Sequence, residues 1–145
     1  MAGKSDTWEQ GLIDLLFKNV DFTEVGDSGG LLGSASAGNL YFSLHTADPT
    51  DAGDQTSSEI GYTSYARVAV ARGAGFTRTG SSVSPAAAVT FPTGTGGSGT
   101  ATHFGVGTAA SGAGKLLYAG AITPNIVCGD GVTPELTTAT AITED

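Results

Sequence analysis

The stretch from Asn39 to Val70 decides the fold. It reads Asn39-Leu-Tyr-Phe-Ser-Leu-His-Thr46, then the polar Ala47-Asp-Pro-Thr-Asp-Ala-Gly-Asp-Gln-Thr-Ser-Ser-Glu59, and after Ile60 and Gly61 it continues Tyr62-Thr-Ser-Tyr-Ala-Arg-Val-Ala-Val70. Leu40, Phe42 and Leu44 alternate with Tyr41, Ser43 and His45, a period of two that predicts a strand with one buried face. In the second run Ala66, Val68 and Val70 share one face and Tyr65, Arg67 and Ala69 the other, which predicts a second strand from Tyr65. The two strands flank one long acidic loop, and no reaction centre is visible in or between them.

Working outward, a chain of 145 residues suits one domain able to bury a core. Apolar residues are 39% and patterned, so the chain is not disordered; charged residues are only 14% and Gly numbers 23. A surface so rich in small uncharged side chains is expected to meet other protein. The formal charge of −8 argues against a nucleic-acid binder, since phosphates need a basic face. Residues 61 to 129 hold no acid but contain Arg67, Arg72, Arg78 and Lys115, so a cationic middle lies between anionic ends. Intramolecular balance is the plain reading, and complementarity between copies or with a lattice of opposite charge the sharper one. Cys128 is the lone cysteine, so no internal disulfide is possible, and a buried inert thiol is expected. The opening Met1-Ala-Gly-Lys-Ser-Asp6 leads into an amphipathic segment and not a secretory signal, and no apolar run is long enough to span a bilayer, so no membrane partner is expected.

Thr7 to about Asn19 reads as the one convincing helix, with a capping box of Thr7 and Gln10 and an apolar stripe of Trp8, Leu12, Leu15 and Leu16 widened by Ile13, Phe17 and Val20. Its apolar face is expected to pack on the protein's own sheet or on a neighbouring subunit. Gly26 to Gly38 is a Gly/Ser/Ala linker, so residues 1–38 form a helix-and-linker arm and 39–145 a β domain. Beyond Val70, turn signals at Arg72 to Gly75, Gly80 to Ser82, Gly94 to Gly99 and Ser111 to Gly114 separate short strand-like runs, including Pro85 to Pro92, Ala101 to Gly107 and Lys115 to Ile122, with Leu136 and Ile142 marking a last strand. Short strands roughly every 8 to 15 residues predict a mainly β fold, an antiparallel β-sandwich or barrel with one N-terminal amphipathic helix.

Four constellations bear on chemistry. Gly94-Thr-Gly96-Gly-Ser-Gly99 has the spacing of a dinucleotide loop, but strand-like residues follow where a helix is required, so it reads as a hairpin loop. Asp48, Asp51 and Asp54 offer carboxylates to a divalent ion without the ligand ladder of a calcium loop, so a solvated acidic loop is the plain reading. His45 falls beside these acids in sequence, while His103 has Ser and Thr everywhere around it, which select nothing, and no acid between residues 61 and 129 to orient it, so a hydrogen-bonded strand histidine is the plain reading and no cofactor and no catalysis are expected. Tyr62, Tyr65, Arg67 and Arg72 read as a contact with another subunit, as a sheet's outer face or as a ligand site, in that order. With Trp8, Leu12, Leu16, Asp48, Asp51 and Asp54 they make up the expected interaction residues.

Several phrases then carry a resemblance: Leu40-Tyr-Phe-Ser-Leu-His-Thr-Ala-Asp-Pro49, Tyr65-Ala-Arg-Val-Ala-Val70, Ala88-Val-Thr-Phe-Pro-Thr93, Gly99-Thr-Ala-Thr-His-Phe-Gly-Val106, Lys115-Leu-Leu-Tyr-Ala-Gly-Ala-Ile122 and Ala141-Ile-Thr-Glu-Asp145. From about residue 8 onward the chain resembles a family of small tailed-bacteriophage virion proteins often labelled phage tail fibre proteins, with a longer segment from Asp21 to Gly38. The resemblance implies a late structural protein of the virion, assembled in the host cytoplasm and present in many copies. Because 145 residues leave no room for a long repetitive shaft, a capsid decoration protein is expected. It would be a homotrimer that cements major capsid protein subunits of the head. The alternative is a tail, baseplate or short-fibre component touching host glycan.

Overall fold

The computed structural model describes residues 3–144. Met1 and Ala2 of the opening motif and Asp145 of the closing one lie outside the described residues. In chain order the elements are helix α1 (Asp6–Ile13), a π-helical turn (Asp14–Lys18), and strands β1 (Asn39–His45), β2 (Val68–Ala71), β3 (Phe76–Thr79), β4 (Ser82–Pro85), β5 (Val89–Thr90), β6 (Ser98–Gly107), β7 (Leu116–Gly129), β8 (Glu135–Leu136) and β9 (Ile142–Thr143). The fold is mainly β, with antiparallel strand pairs and one short N-terminal helix, as the alternation predicts. The strands form sheets of order β2-β1-β6-β7, β3-β4-β9 and β5-β8, and among the described residues no barrel closes. The chain divides into two compact units, one made of Met1–Asn39, Val70–Ala88 and Thr137–Asp145, the other of Leu40–Ala69 and Val89–Leu136.

In the first unit the helix begins earlier than its capping box suggests. Ser5, in extended conformation, is the N-cap, and its Oγ accepts from the Trp8 amide at 3.4 Å, so Thr7 already lies inside the helix. The α-helix ends at Ile13, and one wider turn carries the chain to Asn19, whose φ of 57° stops it. That wider turn has an anchor. The Arg72 guanidinium collects the helix-end carbonyls of Leu16 at 2.5 Å and Leu15 at 2.6 Å, together with the Ala37 carbonyl at 3.1 Å and Ser34 Oγ at 3.2 Å. Lys18 Nζ donates to the carbonyls of Gly73 and Phe76, and Arg78 pairs with Asp14 at 2.7 Å. The deepest helical residues are Glu9, Ile13 and Phe17, four apart, so the buried stripe lies one position off the expected leucines. Phe17 meets Phe76 edge-on at 5.0 Å, and Val83 and Ile142 complete this core. The β3–β4 hairpin turns at Gly80 and Ser81, with Gly80 at a φ of 60° that glycine adopts without steric cost.

In the second unit β1 pairs with β6 in the register Phe42↔Val106 and Leu44↔Phe104, which stacks four large buried side chains on one face. Each such side chain contributes about 1.5–3 kcal/mol of burial. The opposite face is not open to solvent, as the alternation implies, because Ser43 and His45 are also fully buried. Gly105 lies opposite Ser43, and a side chain there would run into Ser43, His45 and Leu116, so its absence admits all three.

Three expected elements are corrected. The second strand starts at Val68 and not Tyr65, because Tyr62 to Tyr65 is a turn closed by the Tyr65 amide on the Tyr62 carbonyl, with Ser64 at a φ of 80°. The run from Pro85 to Pro92 is split between the end of β4 and the two residues of β5. Leu136 and Ile142 sit in separate strands, β8 and β9. By contrast β7 runs beyond Ile122 to Gly129. Residues 122–125 bow out between the pairs His103↔Ala121 and Ala101↔Ile126, and this excursion absorbs Pro124.

Candidate functional site

The acidic loop belongs to the second unit, and its base is sewn shut. The Thr46 amide donates to the Ser58 carbonyl at 2.8 Å, and the Ile60 amide to that of Leu44 at 2.9 Å. Its carboxylates build turns as well as carrying charge. Asp48 Oδ1 accepts from the Thr50 amide at 2.9 Å, and Asp54 Oδ1 accepts from the Thr56 amide at 2.8 Å and hydroxyl at 2.6 Å. Those bonds to Thr56 hold the Asp54 carboxyl below its ordinary range. A loop of this length is expected to be mobile or held by a partner; here its own chain holds it.

Two buried polar residues hold it down. Gln55 is fully buried; its backbone N–H donates to the Ala113 carbonyl at 2.9 Å and its side-chain Oε1 accepts from the Ala109 amide at 2.9 Å. It lies flat on Gly107 and Gly114, where a Cβ atom would come within 2.2 Å of the Gln55 side chain. His45 sits with Nδ1 at 2.8 Å from the Ser57 carbonyl and Nε2 at 2.8 Å from Ser43 Oγ. A carbonyl only accepts, so Nδ1 carries the proton and Nε2 accepts from the Ser43 hydroxyl. Burial lowers the His45 pKa from 6.5 and keeps the ring neutral. This serine–histidine pair is a tie between strand and loop: both side chains are fully buried, and the group behind the imidazole is a carbonyl, not a carboxylate.

Tyr62, Tyr65 and Arg67 are brought together around Glu59. Arg67 grips that carboxylate with Nε and Nη2, both at 2.7 Å, and donates to the carbonyls of Ala109 at 2.9 Å and Gly112 at 2.8 Å. Tyr65 Oη donates to Glu59 at 2.8 Å and accepts from the Leu44 amide at 3.1 Å. Burial raises the Tyr65 pKa, and the bond to Glu59 raises that of Arg67. Tyr62 meets Tyr65 edge-on at 5.4 Å and donates to the Pro92 carbonyl at 2.7 Å, while Tyr65 stacks on Phe91. The polar atoms of these three candidates therefore face inward. Arg72 is likewise engaged, in the first unit, where burial lowers its pKa. Trp8 is 36% exposed and tilts against Phe22, and Leu12 and Leu16 are half-buried beside it along the helix.

Asp48 and Asp51 have a different setting. With Thr50, Gly53 and the segment from Leu116 to Ala119 they line a cleft of about 340 Å³ between the loop and β7. Sequence patterning singled out the two carboxylates but not Glu59, Gln55 or the β7 wall. Glu59 had one legible mark, as the last acid before the acid-free middle. Gln55 and the glycines beneath it had none, because they lie about fifty residues apart.

The remaining constellations resolve plainly. The glycine loop at Gly94 to Gly99 runs straight into β6 and is pinned by the Thr63 amide on the Gly96 carbonyl at 2.9 Å. Among the described residues no three acidic, histidine or cysteine side chains converge as metal ligands, and no helix is long and apolar enough to cross a membrane. Cys128 is buried, and its thiol pKa is raised by burial.

No curated protein matches the chain. Residues 3–141, nearly its whole length, match the family model described as Podophage GP4 fiber I protein gp80. The chain belongs to the Podophage GP4 fiber I protein gp80 family, and it is a structural protein of the tailed-phage virion.

Proposed function

We propose that this chain is a non-catalytic module of a fibre on the tail of the phage particle, acting by adhesion between protein surfaces. The observation that carries the reading is the match to a fibre protein family over residues 3–141. The chemistry of the second unit supports it. Glu59, Tyr65, Arg67, Gln55 and His45, the groups best suited to act on a ligand, are each bonded to the chain's own strands and loops. That arrangement hardens a surface and leaves little with which to transform a molecule.

The second reading is a capsid decoration protein that bridges major capsid protein subunits, its stability on the shell coming from surface buried on two neighbours at once. The short strands favour it, since all but β6 and β7 have seven residues or fewer and none repeats as a shaft would.

Purified virions labelled with antibody against this chain separate the two by imaging. Label at the tail end, with copy number in the tens or fewer by quantitative gel, is the expected result. Label over the head in hundreds of copies overturns the fibre reading in favour of decoration, and absence from the virion overturns both.

A further inference from the structure

Six large apolar side chains are exposed among the described residues, and four of them, Trp8, Val20, Leu31 and Leu32, fall in one short stretch of the first unit. They are brought together because residues 19–34 double back. The backbones of Phe22 and Leu31 exchange two hydrogen bonds, both at 2.9 Å. Asn19 holds Ser34 through two more, from its Nδ2 to the Ser34 carbonyl and from the Ser34 amide to its Oδ1. Residues directly opposite each other in an antiparallel pair share a face, so Phe22 and Leu31 stand side by side. The Phe22 ring rests on Gly11 of α1, where a Cβ atom would collide with it, and it meets the Trp8 ring at 5.3 Å. Helix and doubled-back segment therefore present one apolar surface, most open at Leu32, which is 68% exposed. A lone exposed leucine needs no explanation, but a contiguous cluster marks a contact.

Charge says what covers it. Asp27 Oδ1 accepts from the amides of Gly29 at 2.8 Å and Gly30 at 3.0 Å, and Asp21 Oδ1 accepts from the Gly33 amide at 2.8 Å. A carboxylate is thus fixed on either side of the Leu31-Leu32 pair. Both acids are exposed and neither has an ion pair among the described residues. Asp6, two residues before Trp8, and Glu24, two after Phe22, are exposed as well. An anionic lipid surface or a nucleic acid would be repelled. A second copy using the same face would set these acids against themselves. Another face of a copy has little to offer them. Lys18 and Arg72 bond to carbonyls of their own chain, Arg78, Lys4 and Arg67 pair with Asp14, Glu144 and Glu59, and Lys115 is left as the one uncommitted cation among the described residues.

We propose that Trp8, Val20, Phe22, Leu31 and Leu32 form the docking face for a different protein of the particle, one that presents apolar side chains flanked by lysine or arginine. Burial of the apolar cluster supplies the adhesion, and Asp21 and Asp27 select a basic partner. The inference holds whether the particle carries this chain on its head or on its tail.

Trp8 is the chain's one tryptophan, so its fluorescence reads this face directly. The probe for the full isolated chain is a synthetic amphipathic peptide of leucine and lysine, compared with the same peptide carrying glutamate for lysine. The expected result is a saturable blue shift of Trp8 emission with the lysine peptide and none with the glutamate peptide. Leu32→Ser should weaken binding by at least about tenfold. Asp21→Asn with Asp27→Asn, which keeps both Oδ1 acceptors and removes both charges, should do the same at low salt. Far-UV circular dichroism establishes that the variants fold. In purified virions, Leu32→p-benzoylphenylalanine should photocrosslink to another virion protein, at a segment that mixes apolar residues with lysine or arginine. Equal binding of the two peptides, an unmoved Trp8, variants that bind as the parent does, a crosslink to a second copy of this chain or no crosslink at all would each overturn the proposal. None of these outcomes bears on where antibody finds the chain on the particle.

Discussion

Replacing Arg67 with Met tests the loop's bracing most sharply. The guanidinium is 2% exposed and its Glu59 partner 17% exposed. Arg67→Met keeps the length and apolar stem of the side chain but deletes two charge-assisted bonds of 2.7 Å and the donors to the Ala109 and Gly112 carbonyls. What remains is a mostly buried carboxylate with Tyr65 Oη as its hydrogen-bond donor. Breaking a buried pair by removing one partner costs about 3–5 kcal/mol. Water reaching the partly exposed Glu59 puts this case at the lower end, about 3 kcal/mol, which lowers Tm by about 6–12 °C in a chain of this size. Urea unfolding followed by far-UV circular dichroism measures it, read at unchanged m-value. Glu59→Gln alone should also destabilise, and the double variant should be less costly than the sum of the singles by about 1–3 kcal/mol. Raising NaCl to about 0.5 M, where the Debye length is about 4 Å, should leave the difference nearly intact, since the pair is shielded from solvent. A loss under about 1 kcal/mol, the size of an ordinary surface pair, would refute the claim that Arg67 holds the acidic loop.

Three further outcomes follow from individual atoms. Gly107→Ala sets a methyl 2.2 Å from buried Gln55 Cδ and should cost about 2 kcal/mol or more, whereas Gly61→Ala, with nothing within 4 Å, should stay within about 0.5 kcal/mol; thermal unfolding compares them. Thr50 holds a φ of 62°, poorly suited to a β-branched residue, so Thr50→Asn should stabilise by about 1 kcal/mol, and a loss in urea would refute strain there. Burial depresses the His45 pKa in the folded chain, so the unfolded chain takes up its proton first. This contribution to stability is complete above pH 6.5 and drains away as pH falls from 6.5 toward the folded value. Urea midpoints should therefore drop between pH 6.5 and about pH 5, where carboxylates remain ionised, with a smaller drop in His45→Gln; equal slopes would refute the tie.

The strand at Leu40 to Leu44 was legible because a period of two is a local property of the chain, and so was the Gly80 turn, because glycine tolerates a positive φ. The burial of Ser43 and His45 was not legible: it depends on Gly105, some sixty residues away, leaving room opposite them. Tyr65, Ala66 and Arg67 alternate as a strand would, yet Tyr65 and Arg67 are drawn to Glu59, and a turn forms where the pattern shows none. The helix was recognisable from its stripe, but its cap and wider last turn depend on Ser5's conformation and on Arg72, more than fifty residues further along the chain. That Met1–Asn39, Val70–Ala88 and Thr137–Asp145 gather in one unit is likewise a long-range matter.

By itself the sequence determined the β class, the single N-terminal helix, most turns, the partition of charge and the motifs that mark the virion family. These are set by backbone preference and side-chain period, which act over a few residues. The tertiary structure alone decided that Arg67, Tyr65, Gln55 and His45 are spent inside the chain, and that Asp48 and Asp51 of the loop line a cleft with Leu116 to Ala119 of β7. A polar side chain takes whichever partner the fold brings within about 3 Å, and that choice is made across distances in sequence over which local patterns carry no information.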